Sequence, residues 1–216
     1  MPHGKSVVDA DLSDWEGNHV RWHRLDALYY GEPDARDVTD AKFSARWNQP
    51  EGKIYVAVIV DDTDDFRTEG YGPLREGWDD GDRIELLSVG DAEAATGWST
   101  NHDVAQEYVV GVTPAGDSWG TWGTGDPLHP DTELTYAARI DGSKLIYEAA
   151  VKCFDNYGRF TGEPTVVSKL GPGKIVRFDV IVNTRHQDGF GMRALDDNGG
   201  RWNDSGKITR FILADE

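Results

Sequence analysis

The chain has 216 residues, of which 38% are hydrophobic, 11% aromatic and 25 glycine; this is the make-up of a turn-rich globular domain and excludes a disordered chain. Its net charge of -17, from 39 acidic against 22 basic residues, argues against nucleic acid and anionic membrane as partners, since both are held through basic patches. No apolar run approaches the roughly 18 residues of a membrane span, and a lone cysteine, Cys153, excludes an internal disulfide and a four-cysteine zinc site.

Residues 1–6 hold no apolar signal core. Residues 9–15 (DADLSDW) read as a turn that folds Leu12 and Trp15 back onto the core, and residues 18–40 as a surface connection without periodicity. Residues 41–47 alternate Phe43, Ala45 and Trp47 with Lys42, Ser44 and Arg46, whereas residues 53–60 (KIYVAVIV) are apolar on both faces. The two are expected to form a hairpin whose second strand is central. Asp61, Asp62, Asp64 and Asp65 crowd the end of that strand. Their spacing suits a structural Ca²⁺ held by Asp61, Asp62 and Asp64, but it lacks the glycine and distal glutamate of an EF-hand loop. Aspartate makes up 27 of the 39 acids, and for most of them turn formation and solubility are the plainer reading.

Trp78 then precedes a Gly81-Asp82 turn and a strand that places Ile84, Leu86 and Ser88 on one face and Arg83, Glu85 and Leu87 on the other. An indole beside an open carboxylate is the pairing that suits a sugar: the C–H face of the ring lies on the indole and the hydroxyls donate to the carboxylate. The plainer alternative is that Trp78 caps the core and Glu85 is solvated. A polar loop with Trp98 and His102 occupies 90–104. Residues 107–112 and 118–122 read as a hairpin that turns Trp119 and Trp122 to opposite faces, with one of the two exposed. Residues 133–140 and 145–151 pair around Asp141-Gly142. Residues 152–174 are loop, with Cys153 a small core residue after the strand. Residues 175–182 are a buried strand, 183–206 a long polar loop ending near Trp202, and 207–214 the last strand. Nine or ten strands without a long amphipathic helix imply an all-β, antiparallel β-sandwich of jelly-roll or immunoglobulin-like type, one domain over 1–216, with first and last strands paired.

The order of these pieces resembles carbohydrate-binding module family 9 and its DOMON-like relatives. Asp9 to Trp15 is similar to the family's opening D-G-x-L-x-D/E-W signature, and residues 41–47 with 54–58 and Asp61 to its first hairpin. Trp78 with Gly81 to Glu85 resembles its W…D-x-(V/I)-E strand, and Asp141-Gly142 with 147–151 and 178–183 its last blocks. The resemblance implies a sugar end held between two tryptophans. Trp78 matches the first and Glu85 the strand glutamate, at a spacing one residue longer than the family's. The second tryptophan position falls on Leu195 in a gap-free reading, with Trp202 seven residues on as a substitute. Asp82, Arg193 and Asn203 are the expected polar partners of the hydroxyls.

On this resemblance the chain is expected to be a non-catalytic, monomeric module that binds an oligo- or polysaccharide. It is expected outside the cytoplasm, extracellular or periplasmic, within a larger secreted glycan-degrading protein. Three other readings stand beside it. Leu195 favours an interaction domain of the same fold without a sugar site. A glycoside hydrolase needs two carboxylates across one cleft. A haem-binding relative needs axial ligands, for which His186 and Met192 are the available pair. No Gly-x-Ser-x-Gly elbow, His-Glu-x-x-His run or phosphate-cradling glycine loop is present.

Overall fold

Two antiparallel sheets face each other across one core. The structure is a computed structural model that describes residues 1–17, 20–31, 38–62, 82–94, 97, 99–100, 102–113, 115–122, 134–186 and 189–215, with backbone alone at 38–39, 122, 185–186 and 189–190. Trp78, Asp64, Asp65 and Trp98 lie outside the described residues. The first sheet runs β1 (His23–Arg24), β3 (Val38–Asn48), β4 (Lys53–Asp62), β9 (Lys144–Lys152), β8 (Leu134–Asp141). The second runs β2 (Ala27–Gly31), β13 (Gly189–Ala194), β12 (Ile175–His186), β5 (Arg83–Val89), β6 (Gln106–Val112), β7 (Ser118–Trp122), with β14 (Arg210–Ile212) also on β12. A small pair, β10 (Phe154–Asn156) and β11 (Val166–Val167), closes one end. Fourteen strands are thus present among the described residues, and ten of them have five or more residues. The fold class is the expected all-β sandwich.

Alternation explains the layers. On the inner faces, Phe43, Ala45 and Trp47 of β3 and Val56, Val58 and Val60 of β4 pack against Ile84 and Leu86 of β5, Tyr108 and Val110 of β6, and Phe178, Val180 and Val182 of β12. Each such side chain, fully buried, contributes about 1.5–3 kcal/mol through area removed from water. The β3–β4 hairpin has the expected register, Trp47 opposite Ile54 and Ala41 opposite Val60. The outer face of the first sheet is covered by the N-terminal segment. Trp15 packs there with Tyr55, Ala57 and Ala150, and its Nε1 donates to Glu148 at 2.5 Å.

Several expectations are corrected. The stretch 18–40 holds β1, β2 and the start of β3, and the stretch 183–206 holds the end of β12 and all of β13. The first and last strands do not pair: β1 lies on β3 and β14 on β12. The termini meet instead through Met1, whose ammonium donates to the Ile212 carbonyl and whose carbonyl accepts from the Ala214 amide. The loop 152–174 contains the β10–β11 pair, and Cys153 is buried in the main core as expected. Trp119 is buried over Gly111, where an added Cβ would stand 2.2 Å from the indole, so glycine is what admits the ring.

Candidate functional site

The outer face of the second sheet has a different composition from the inner one. Leu87, Val89, Ala105, Ile181, Met192, Ala194 and Ile208 form a second, smaller core there. Beside it, the outward positions of β5 and β6 carry Arg83, Glu85 and Glu107. Tyr29 and Tyr30 of β2, Ser99, Thr100, Gly199, Gly200 and Trp202 close over this floor around a cleft of about 520 Å³, with Glu85, Glu107 and Met192 also in its wall. That size lies within the range of small-ligand sites, about 300–1,000 Å³.

Burial sets the chemistry of the floor. Glu85 is 9% exposed and Glu107 6%. Asn183 Nδ2 donates to Glu85 Oε1 at 2.9 Å, and the Arg83 guanidinium stands 3.6 Å from the same oxygen. Thr100 Oγ1 donates to Glu107 Oε2 at 2.6 Å. Burial nevertheless raises the Glu85 carboxyl above its ordinary value against these partners. Burial, then repulsion from Glu85, pushes Glu107 up to about 7. Tyr29 is raised too, chiefly by burial.

Trp202 is the exposed wall, at 64%. Its carbonyl accepts from the Thr100 amide at 3.0 Å. The neighbouring Arg201 is fully buried: its Nε stands 2.9 Å from Asp179 Oδ2, its Nη2 pairs with Asp196, and its guanidinium lies 5.1 Å from the Tyr29 ring centroid. Burial moves Asp179 up to about 6 although Arg201 opposes this. This pair ties the 195–206 loop to β12 and so sets the position of Trp202.

Of the residues singled out in the sequence, Glu85 and Trp202 meet in this cleft. Glu85 is not on an open face, because the loops around Thr100 and Trp202 cover it. Asn203 is exposed next to Trp202. Asp82 is buried ahead of β5 and is not among the described residues of the cleft wall. Arg193 alternates with Met192 on β13 and so turns away from the cleft; its Nη1 donates to the Asp26 carbonyl at 3.3 Å. Leu195 is half-buried and packs against the main core. Met192 belongs to the outer core and the cleft wall, and of His186 only the backbone is described. At the end of β4, Asp61 accepts from Ser143 at 2.7 Å and Asp62 is buried. They are neighbours at the end of the strand, and Asp64, the third aspartate of the expected Ca²⁺ set, lies outside the described residues.

Sequence reasoning does not single out Glu107, Arg201, Tyr29, Tyr30 or Thr100 as site residues. Glu107 occupies the position opposite Leu87 in the β5–β6 register. An acidic residue in an otherwise apolar central strand (EYVVGV) is the signal that could have found it.

No protein-family profile matches the chain, and no curated protein matches it. Among solved structures it is similar to a carbohydrate-binding module of family 9 from Caldicellulosiruptor kristjanssonii in complex with glucose. The TM-score is 0.66 at 16% identity, over 100% of this chain and 95% of that one. At that identity the likeness is one of fold: the chain folds as a family 9 module does.

Proposed function

We propose that the chain is a non-catalytic carbohydrate-binding module that holds a sugar ring in the cleft on the outer face of the second sheet. The observation that supports this is Trp202, an exposed indole held by a buried ion pair beside two cleft carboxylates. A sugar laid on Trp202 has its hydroxyls toward Glu85 and Glu107, which accept hydrogen bonds when ionised and donate one when protonated. The structural neighbour's glucose agrees with a ligand of this class. Trp78, implied by the resemblance as a stacking ring, stays part of the proposal, as does a monomeric module within a secreted glycan-degrading protein. A stacked ring adds about 0.5–1.5 kcal/mol beyond its area, so the site suits weak, reversible attachment.

Two carboxylates in one cleft raise hydrolysis as the second reading, because a glycosidase pairs an acid of raised pKa with a second carboxylate. Glu85 and Glu107 rise from adjacent strands of one floor, whereas a glycosidase pair must flank the scissile bond from two sides. Calorimetric titration with glucose and gluco-oligosaccharides tests the proposal, with wild type beside Trp202→Ala and Trp78→Ala. Trp202→Ala is expected to keep its melting temperature and to lose at least tenfold in affinity. Wild type that binds none of these sugars would overturn the proposal, and release of reducing ends would replace it with hydrolysis.

A further inference from the structure

The charges around the cleft do not balance. Among the described residues, the ionisable groups lining the cleft are Glu85, Glu107, Tyr29 and Tyr30, with Arg83 of β5 acting on both carboxylates and Arg201, paired with Asp179 and Asp196, at the Tyr29 ring. At the rim, Lys207 donates to the Gly199 carbonyl and Asp204 accepts from the Gly97 amide. Arg201 is engaged by Asp179 and Asp196, and Arg83 stands at Glu85. Glu107 accepts from the neutral Thr100 hydroxyl and shares the field of Arg83 with Glu85. Among the described residues of the floor, one guanidinium, Arg83, therefore serves two carboxylates, Glu85 and Glu107. Tyr29, Tyr30 and Trp202 line the walls, and aromatic rings attract cations as well as sugar C–H groups.

Resting on the sugar reading above, we infer that the cleft prefers a sugar carrying a free amine over its neutral counterpart, with the ammonium at Glu107 and Glu85 and the ring on Trp202. The ammonium supplies the positive charge that the floor lacks, and its three donors suit two carboxylates and a hydroxyl. A neutral sugar leaves Glu107 to keep its proton instead. Below pH 7 Glu107 takes up that proton while the amine stays charged, so the preference for the amine shrinks with acidity.

The test is calorimetric titration of the whole chain with glucosamine, N-acetylglucosamine and glucose at pH 7 and at about pH 5.5. Glucosamine is expected to bind at least tenfold more tightly than the other two at pH 7. That preference should narrow at the lower pH and vanish in Glu107→Gln, read as the ratio of glucosamine to glucose affinity within that variant. The narrowing with pH is read on the wild type, so it does not depend on the variant folding. Equal affinities for glucosamine and glucose, or a preference that survives Glu107→Gln, would overturn the inference and leave the sugar reading intact. Failure of all three sugars to bind would remove both.

Discussion

At Ala10 a single φ angle decides what the N-terminal turn tolerates. Ala10 sits at φ 61° and is buried, where the family's opening signature has glycine. The left-handed region costs an L-residue about 1–2 kcal/mol. Neighbours hold it there: the Asp9 amide donates to Glu148 at 3.0 Å, Arg139 Nε to the Ala10 carbonyl at 2.7 Å, and the Asp11 amide to Asp9 Oδ1 at 2.8 Å. Replacement by glycine relieves the strain but gives up a buried methyl of about 0.8 kcal/mol and stiffening of the unfolded chain of similar size. Ala10→Gly is therefore expected to change stability by no more than a few tenths of a kcal/mol, on the order of the difference between those effects. Ala10→Val adds a β-branch at positive φ in a buried site and should cost more than about 2 kcal/mol. Denaturant midpoints decide it; an equal loss in both would mean that packing alone, and not backbone strain, governs the position. The motif's Trp15 is legible in the sequence as a residue folding back on the core. Its acceptor Glu148, 133 residues away, is not, because nothing local marks a carboxylate for a distant indole.

Among the elements, strands with a clean period are legible and strands defined by their neighbours are not. The hairpins β3–β4 and β8–β9 announce themselves by alternation and by a glycine turn. β13 (GFGMRA) and β2 (ALYYG) carry glycines and little alternation, and they exist because β12 offers an edge to β13 and β13 one to β2. The same holds for the site. Glu85 and Trp202 stand out by residue type, whereas Glu107 and Arg201 matter through cross-strand register and burial, which the order of residues does not display. The 195–206 loop depends on Arg201. Replacing it with methionine leaves Asp179 buried without its counterion, a change that typically costs about 3–5 kcal/mol. Burial already pushes Asp179 up to about 6, so it escapes by protonation in acid. Arg201→Met is thus expected to destabilise strongly at pH 8 and less at pH 5, with Asp179→Asn in the same chain recovering part of the loss. Urea unfolding of the single and double variants measures this. Equal losses at the two pH values would show that the guanidinium acts by packing rather than by charge.

For the whole molecule, the buried acids of the second sheet set a slope of stability against pH. Glu107 moves from 4.5 to about 7 and Asp179 from 3.8 to about 6, in both cases first through burial. The folded chain therefore holds protons that the unfolded chain has released, and stability falls as pH rises. The Glu107 share is intact below about 4.5 and gone once pH passes 7. At about 1.4 kcal/mol per pH unit it amounts to about 3 kcal/mol, a large fraction of a domain's usual 5–15 kcal/mol. The net charge of -17 adds a second slope of the same sign, since surface repulsion grows as carboxylates ionise. Salt separates the two, because it screens exposed charges far more than buried ones. Stability measured by urea unfolding between pH 5 and 8 in high salt should still decline in the wild type. In Glu107→Gln the decline should be shallower by about 2–3 kcal/mol across that span. Parallel curves for the two proteins would mean that Glu107 is solvated in the folded state and ionises freely. A reduced slope would show that folding holds in the cleft an acid that resists ionisation at neutral pH.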